Sequence, residues 1–66
     1  MNITLNGETR EVAPGTTVHK LILDLGRKPA ATVVERNGDI LDRDAYTSVS
    51  LSDGDTVELV QFVGGG

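Results

Sequence analysis

The sequence predicts an α+β fold in which a mixed β-sheet packs on one main α-helix. Three observations carry that expectation. Apolar and polar residues alternate near both ends of the chain, the period of half-buried strands. Between them Val18, Leu21, Ile22 and Leu25 recur at i, i+3, i+4 and i+7, the spacing of one helical face. The pairs Asn6-Gly7 and Asn37-Gly38 each interrupt a strand-like run with residues that tolerate positive φ, as a type I′ hairpin turn requires. The resulting order is β-β-α-β-β-(turn)-β, two hairpins flanking a helix, which buries one sheet face against that helix.

Taken in order, Met1, Ile3 and Leu5 alternate with Asn2 and Thr4 as a first strand, and residues 8–12 form its return. Pro14-Gly15 ends the hairpin. Thr17 suits the N-cap, where its hydroxyl accepts from a first-turn N–H; Lys20 stands where a capping-box Glu would, so the cap is partial. Gly26 fits the left-handed position past the helix end, Pro29 stops the helix from resuming, and Arg27 and Lys28 lie by the negative end of its dipole. Residues 32–36 read as a strand and 39–41 as its short partner. Residues 42–48 are polar and irregular, with one helical turn that places Ala45 or Tyr46 inward, and Val49 and Leu51 make brief core contacts. A turn at Asp53-Gly54-Asp55 leads into a last strand over residues 56–63.

That last strand is unbalanced. Val57 and Leu59 share one face, while Thr56, Glu58, Val60 and Phe62 share the other. With Val57 and Leu59 against the helix, Val60 and Phe62 point to solvent and, joined by Val33, form an apolar contact patch. The competing expectation is that a twist or bulge buries Phe62, the single Phe of the chain. Beyond the strand come Gly64, Gly65 and Gly66. The organisation expected is therefore a folded domain over residues 1–63 and a flexible glycine tail over 64–66, with no second domain for a linker to reach. Three glycines extend about 10 Å and, lacking Cβ atoms, fit a channel too narrow for other residues. A terminal carboxylate is ionised at neutral pH and a poor electrophile until activated. The tail therefore suggests an acyl group delivered into another protein's active site.

Composition narrows the field. Sixty-six residues make one small domain. Ordering them costs roughly 1.5 kcal/mol per residue, which leaves a thin stability margin. Without cysteine there is neither a disulfide nor a thiolate metal site, and any sulfur handled by the chain comes from elsewhere. A net charge of −4 argues against nucleic acid and favours partners with a basic face. One Tyr, one Phe and no Trp leave no platform for stacking bases. No apolar run approaches a membrane span and no signal peptide is visible at Met1, so a soluble cytoplasmic protein is expected, without a membrane partner. His19 stands alone at a helix start and reads as a surface residue rather than a ligand or base. Asp42, Asp44, Asp53 and Asp55 lack the twelve-residue loop and closing Glu of a calcium site and read as turn formers. Arg27-Lys28 is too small a basic cluster for nucleic acid.

These elements resemble the ThiS family, the thiamine-biosynthesis sulfur carriers of the β-grasp, ubiquitin-like fold. The likeness spans essentially the whole chain: Asn6-Gly7, Gly15-Thr16-Thr17-Val18, Asn37-Gly38-Asp39-Ile40-Leu41 with Asp42-Arg43, Asp53-Gly54-Asp55-Thr56-Val57-Glu58-Leu59, and Val63-Gly64-Gly65-Gly66. Arg36, where family members often carry an apolar residue, and Lys20, where an acidic one is more common, depart from the pattern. The resemblance implies a carrier and co-substrate, not an enzyme. An E1-like, ThiF-type adenylyltransferase would adenylate the Gly66 carboxylate. Sulfur from a cysteine desulfurase or rhodanese-type donor would displace AMP to give a thiocarboxylate, and a ThiG-type thiazole synthase would accept it. No cofactor is bound; AMP and sulfur are carried transiently at the C-terminus. Gly-Gly ends also occur in ubiquitin-like modifiers and in the small subunit of molybdopterin synthase. That subunit and a β-grasp interaction module that ignores the tail are the alternatives.

Overall fold

The structure, a computed structural model, describes residues 1–61; residues 62–66 lie outside it. Strands β1 (Asn2–Leu5) and β2 (Glu8–Glu11) precede helix α1 (Val18–Asp24), and β3 (Thr32–Arg36), β4 (Asp39–Ile40) and β5 (Thr56–Gln61) follow it. The sheet order is β2-β1-β5-β3-β4. β1 and β5 pair in parallel at its centre, and the other neighbours are antiparallel. This is the mixed sheet on one main helix that the sequence predicts.

The hairpins form for the expected reason. Asn6 and Gly7 have φ of 47° and 83°, and Asn37 and Gly38 have 52° and 87°, so both positions of each turn are left-handed. β2 ends one residue earlier than expected. Val12 has left the ladder, yet its N–H still donates to the Met1 carbonyl at 2.8 Å and its side chain packs on the core.

At the start of α1, Thr17 Oγ1 accepts from the Lys20 N–H at 3.1 Å. The Val18 and His19 N–H groups donate to the carbonyls of Val49 and Tyr46, at 3.1 and 2.9 Å. The irregular stretch before β5 therefore satisfies helix donors that no intrahelical acceptor reaches. Past the helix, Gly26 at φ 73° donates to Leu23 and Arg27 donates to Ile22, the paired bonds of a Schellman end. Pro29 does more than stop the helix. It opens a 3₁₀ turn, Pro29–Ala31, where its missing N–H leaves no bond unmade.

The core is Ile3 and Leu5 of β1, Val18, Leu21 and Ile22 of α1, Val34 of β3, and Val57 and Leu59 of β5, closed by Tyr46 and Leu51. Of the two inward candidates in the 42–48 stretch, Tyr46 is the buried one, at 3% exposure; Ala45 is half-buried. A 3₁₀ turn over Arg43–Ala45 aims the ring inward, and its hydroxyl donates to the Thr32 carbonyl at 2.8 Å. Leu51 is buried through a bond from its N–H to the Thr16 carbonyl, and Val49 packs at the margin.

One buried carboxylate ties the far end of the sheet together. Asp55, 6% exposed, accepts from the Ser52 N–H at 2.8 Å, from Asn37 Nδ2 at 3.0 Å and from Arg36 Nε at 2.9 Å. Burial pushes its pKa up. The bonds from Ser52, Asn37 and Arg36, with the Arg36 charge, outweigh that and hold it below the ordinary 3.8. A depressed carboxyl stabilises the fold above its unfolded pKa, and that contribution is lost as pH falls through the folded value.

Two consequences are measurable by urea denaturation. Tyr46→Phe should cost about 1 kcal/mol, because the Thr32 carbonyl loses its buried donor; unchanged stability would show that bond to be idle. Asp55→Asn should cost about 2 kcal/mol at neutral pH, since one carboxylate oxygen becomes a donor facing donors. The gap to wild type should begin to shrink as pH falls through 3.8 and close as it falls through the lower folded value, where folded wild-type Asp55 also loses its charge. A gap independent of pH would contradict the charged network.

Candidate functional site

The expected reacting residue Gly66, its tail partners Gly64 and Gly65, and the contact residue Phe62 all lie outside the described residues, as does the boundary at 63/64. What the structure places is the strand that leads to them. β5 is held along both edges by the asparagines of the two hairpin turns. On one side the Asn6 N–H donates to the Val57 carbonyl, and Asn6 Oδ1 accepts from the Leu59 N–H, both at 2.9 Å. On the other side the Asn37 N–H donates to the Thr56 carbonyl, and Asn37 Oδ1 accepts from the Thr56 N–H, both at 2.8 Å. The left-handed conformation that makes each turn also aims its amide at β5. From the sequence these asparagines read as turn formers alone; the second role depends on a strand distant in the chain.

Alternation along β5 is as expected. Val57 and Leu59 are buried under α1, and Val60 faces away at 60% exposure. Val33, half-buried, stands directly opposite Val60 in the β3–β5 ladder, so the structure brings these two expected contact residues together. Two residues of that face, Ile40 and Glu35, do not stand out in the sequence. Ile40 of β4 is 75% exposed and pairs with Glu35, which in turn pairs with Glu58. The signal for Ile40 was present, an apolar residue in a two-residue edge strand, but its face is readable only once the register is known.

The other candidates take structural places. The His19 backbone caps against Tyr46, and its side chain is half-buried at the helix start. Asp53 Oδ1 accepts from the Asn2 N–H at 2.8 Å, a turn contact, whereas Asp55 is the buried hub described above. Among the described residues no group of three or more His, Cys, Asp or Glu is placed to hold a metal. No helix among them is long and apolar enough to cross a membrane. A shallow groove between β2 and α1, bordered by Arg10, Val12, Lys20 and Asp24, contains no residue of β5. What this arrangement offers is a central strand held along both edges up to Gln61, with an apolar and acidic face beside it.

Comparison with known proteins agrees with that geometry. Over 66 residues the chain is 42% identical to a thiazole synthase of Magnetococcus marinus, covering all of this chain but only about a fifth (20%) of that protein. It is 35% identical to the sulfur carrier protein ThiS of Bacillus subtilis, over 97% of this chain and 98% of that one. The crystal structure of a thiamine biosynthesis protein (ThiS) from Geobacter metallireducens superposes with a TM-score of 0.84 at 38% identity, over the full length of both chains. The fold is accordingly the β-grasp of these proteins. The sequence model described as the ThiS family matches residues 3–66, and the chain belongs to that family.

Proposed function

We propose that this chain is a sulfur carrier for thiazole formation in thiamine biosynthesis, with the Gly66 carboxylate as its reacting group. The full-length likeness to sulfur carrier proteins, running into the glycine tail, is the observation that carries the reading. The thiazole synthases that contain a segment similar to this chain support the choice of acceptor.

The chemistry follows from what the tail has and lacks. The Gly66 carboxylate attacks the α-phosphate of ATP on a ThiF-type adenylyltransferase and releases pyrophosphate. The acyl adenylate is then open to a persulfide from a cysteine desulfurase or rhodanese-type protein. The terminal sulfur bonds to the Gly66 carbonyl carbon, AMP leaves, and a thiol cleaves the remaining sulfur–sulfur bond to free the thiocarboxylate. A ThiG-type thiazole synthase takes that sulfur. The chain itself is no enzyme in this scheme: it supplies neither base nor nucleophile beyond its own carboxylate, and without cysteine it competes for none of the sulfur. AMP and sulfur pass over the tail and no resident cofactor takes part. Val60, Val33 and Phe62 hold the domain on its partners while the tail reacts.

Removing Gly65 and Gly66 tests the division of labour. The truncated chain should melt within about 2 °C of wild type, because no residue of the described core is touched. ATP–pyrophosphate exchange with the adenylyltransferase should fall to background. Exchange that persists in the truncated chain would contradict the assignment of the reacting group, and a collapse in melting temperature would make the tail part of the fold.

A further inference from the structure

The two Asn-Gly turns are covalent weak points of the same kind, and the fold secures them unequally. In such a pair the glycine backbone nitrogen can attack the asparagine side-chain carbon Cγ. The Cγ–Nδ2 bond breaks, Nδ2 takes up the proton of the attacking N–H and leaves as ammonia, and a five-membered succinimide ring remains. Water then opens the ring at either carbonyl to give an aspartyl or an isoaspartyl residue. Glycine favours the attack because it has no Cβ to crowd the nitrogen. The chain has Asn-Gly at residues 6–7 and 37–38 and nowhere else.

Ring closure needs the asparagine Cβ and the next nitrogen nearly eclipsed about the Cα–C bond. The type I′ turns hold them apart. Asn6 has φ 47° and Asn37 φ 52°, each followed by a left-handed glycine. In such a turn the first central residue has ψ of about +30°, which sets its Cβ almost anti to the next nitrogen. Reaction therefore waits for the turn to open, and the bonds on each asparagine decide how often that happens.

The Asn6 N–H donates to the Val57 carbonyl, and Asn6 Oδ1 accepts from the Leu59 N–H, both at 2.9 Å. Among the described residues its side chain has that bond alone. Asn37 makes the equivalent pair of bonds with Thr56, both at 2.8 Å, and adds a third, from Nδ2 to Asp55 Oδ1 at 3.0 Å. Asp55 is buried and is itself fixed by Ser52 and Arg36. The third bond thus ends on the group that must leave. A hydrogen bond to a charged group suppresses opening by a factor on the order of ten or more. Hairpin length favours the opposite order: four residue pairs join β1 to β2, and two join β3 to β4. Were strand pairing the gate, Asn37 would react first.

We infer that Asn6 is the site at which the folded protein deamidates, and that Asp55 shields Asn37 from the same reaction. The consequence falls on β5. An isoaspartyl residue carries the backbone through Cβ and Cγ, so the turn is longer by one carbon and its carboxylate is displaced from the place where Oδ1 accepts from Leu59. An aspartyl residue keeps that acceptor. The reaction needs only water and is independent of the glycine tail.

Both sites are followed by peptide mapping. Wild type is incubated at mildly alkaline pH in buffer and, separately, in denaturing urea. A glutamate-specific protease then releases residues 1–8, with Asn6, and residues 36–58, with Asn37. Chromatography resolves the aspartyl and isoaspartyl forms, fragment ions assign the site, and a sample from time zero corrects for reaction during digestion. The urea rates give the intrinsic reactivity of each site. In buffer, after division by those rates, Asn6 should outpace Asn37 about tenfold or more. Asp55→Asn should speed Asn37 selectively and bring the ratio towards one. Tyr46→Phe, which weakens the fold away from both turns, should keep the wild-type ratio. Asn37 reacting as fast as Asn6 in folded wild type, or a ratio that Asp55→Asn leaves unchanged, would overturn the inference. So would a ratio that Tyr46→Phe lowers as far as Asp55→Asn does, since global unfolding would then be the gate.

Discussion

The structure depends on how β5 is held. It is the middle strand of the sheet, parallel to β1 and antiparallel to β3, and it sends Val57 and Leu59 into the core under α1. A strand in this position needs its backbone groups met on both edges, because an unpaired buried donor costs as much as a lost hydrogen bond. β1 is too short to do this along the whole of β5. Its ladder with β5 covers two residue pairs, and the Asn6 side chain then takes the Leu59 N–H in place of a further strand residue. Asn37 does the same at Thr56, and Asp55 fixes Asn37 and Arg36 in turn. The course of β5 is therefore set by polar groups at the hairpin turns as much as by the hydrophobic core.

Much of this was legible in the sequence because it is local. The Asn-Gly pairs, the helical spacing from Val18 to Leu25, the Gly26 end and the alternation of Val57, Leu59 and Val60 each depend on a few neighbouring residues, and each took the expected form. What escaped depends on contacts distant in sequence. The inward turn at Ala45 or Tyr46 and the core contacts of Val49 and Leu51 were legible; that the Tyr46 and Val49 carbonyls accept from the start of α1, and that the Tyr46 hydroxyl bonds to Thr32, was not. Asp55 looked like one turn aspartate among several, and only the fold brings Arg36 and Asn37 to it. Arg36, out of pattern for the family, is in place as the partner of that buried carboxylate. The face shared by Val60 and Glu58 was readable from alternation, whereas the pairing of Val60 with Val33, of Glu58 with Glu35 and of Glu35 with Ile40 required the register of three strands.

The division between scaffold and chemistry is plain in such a small protein. Among the described residues the charged side chains that form hydrogen bonds do so in one exposed helix pair, one turn contact and one buried network. A carrier needs no nucleophile, base and acid of its own. It needs a fold that survives repeated docking, an outlet for the chain, and a surface that a partner can recognise without competing with the reacting end. The open sheet face beside β5 is separated from the helix-side core by the thickness of one strand. Partner recognition can therefore change on one side of the sheet while packing is kept on the other.

The measurement that bears most directly on the carrier assignment is mass spectrometry of the C-terminal fragment, after incubation with ATP, the adenylyltransferase and a persulfide donor. The fragment containing Gly66 should exchange one oxygen for one sulfur. Localisation to the fragment matters, because oxidation of Met1 to its sulfoxide adds nearly the same mass. If the partners are active and the fragment stays unmodified, the chain is not a carrier of sulfur at Gly66.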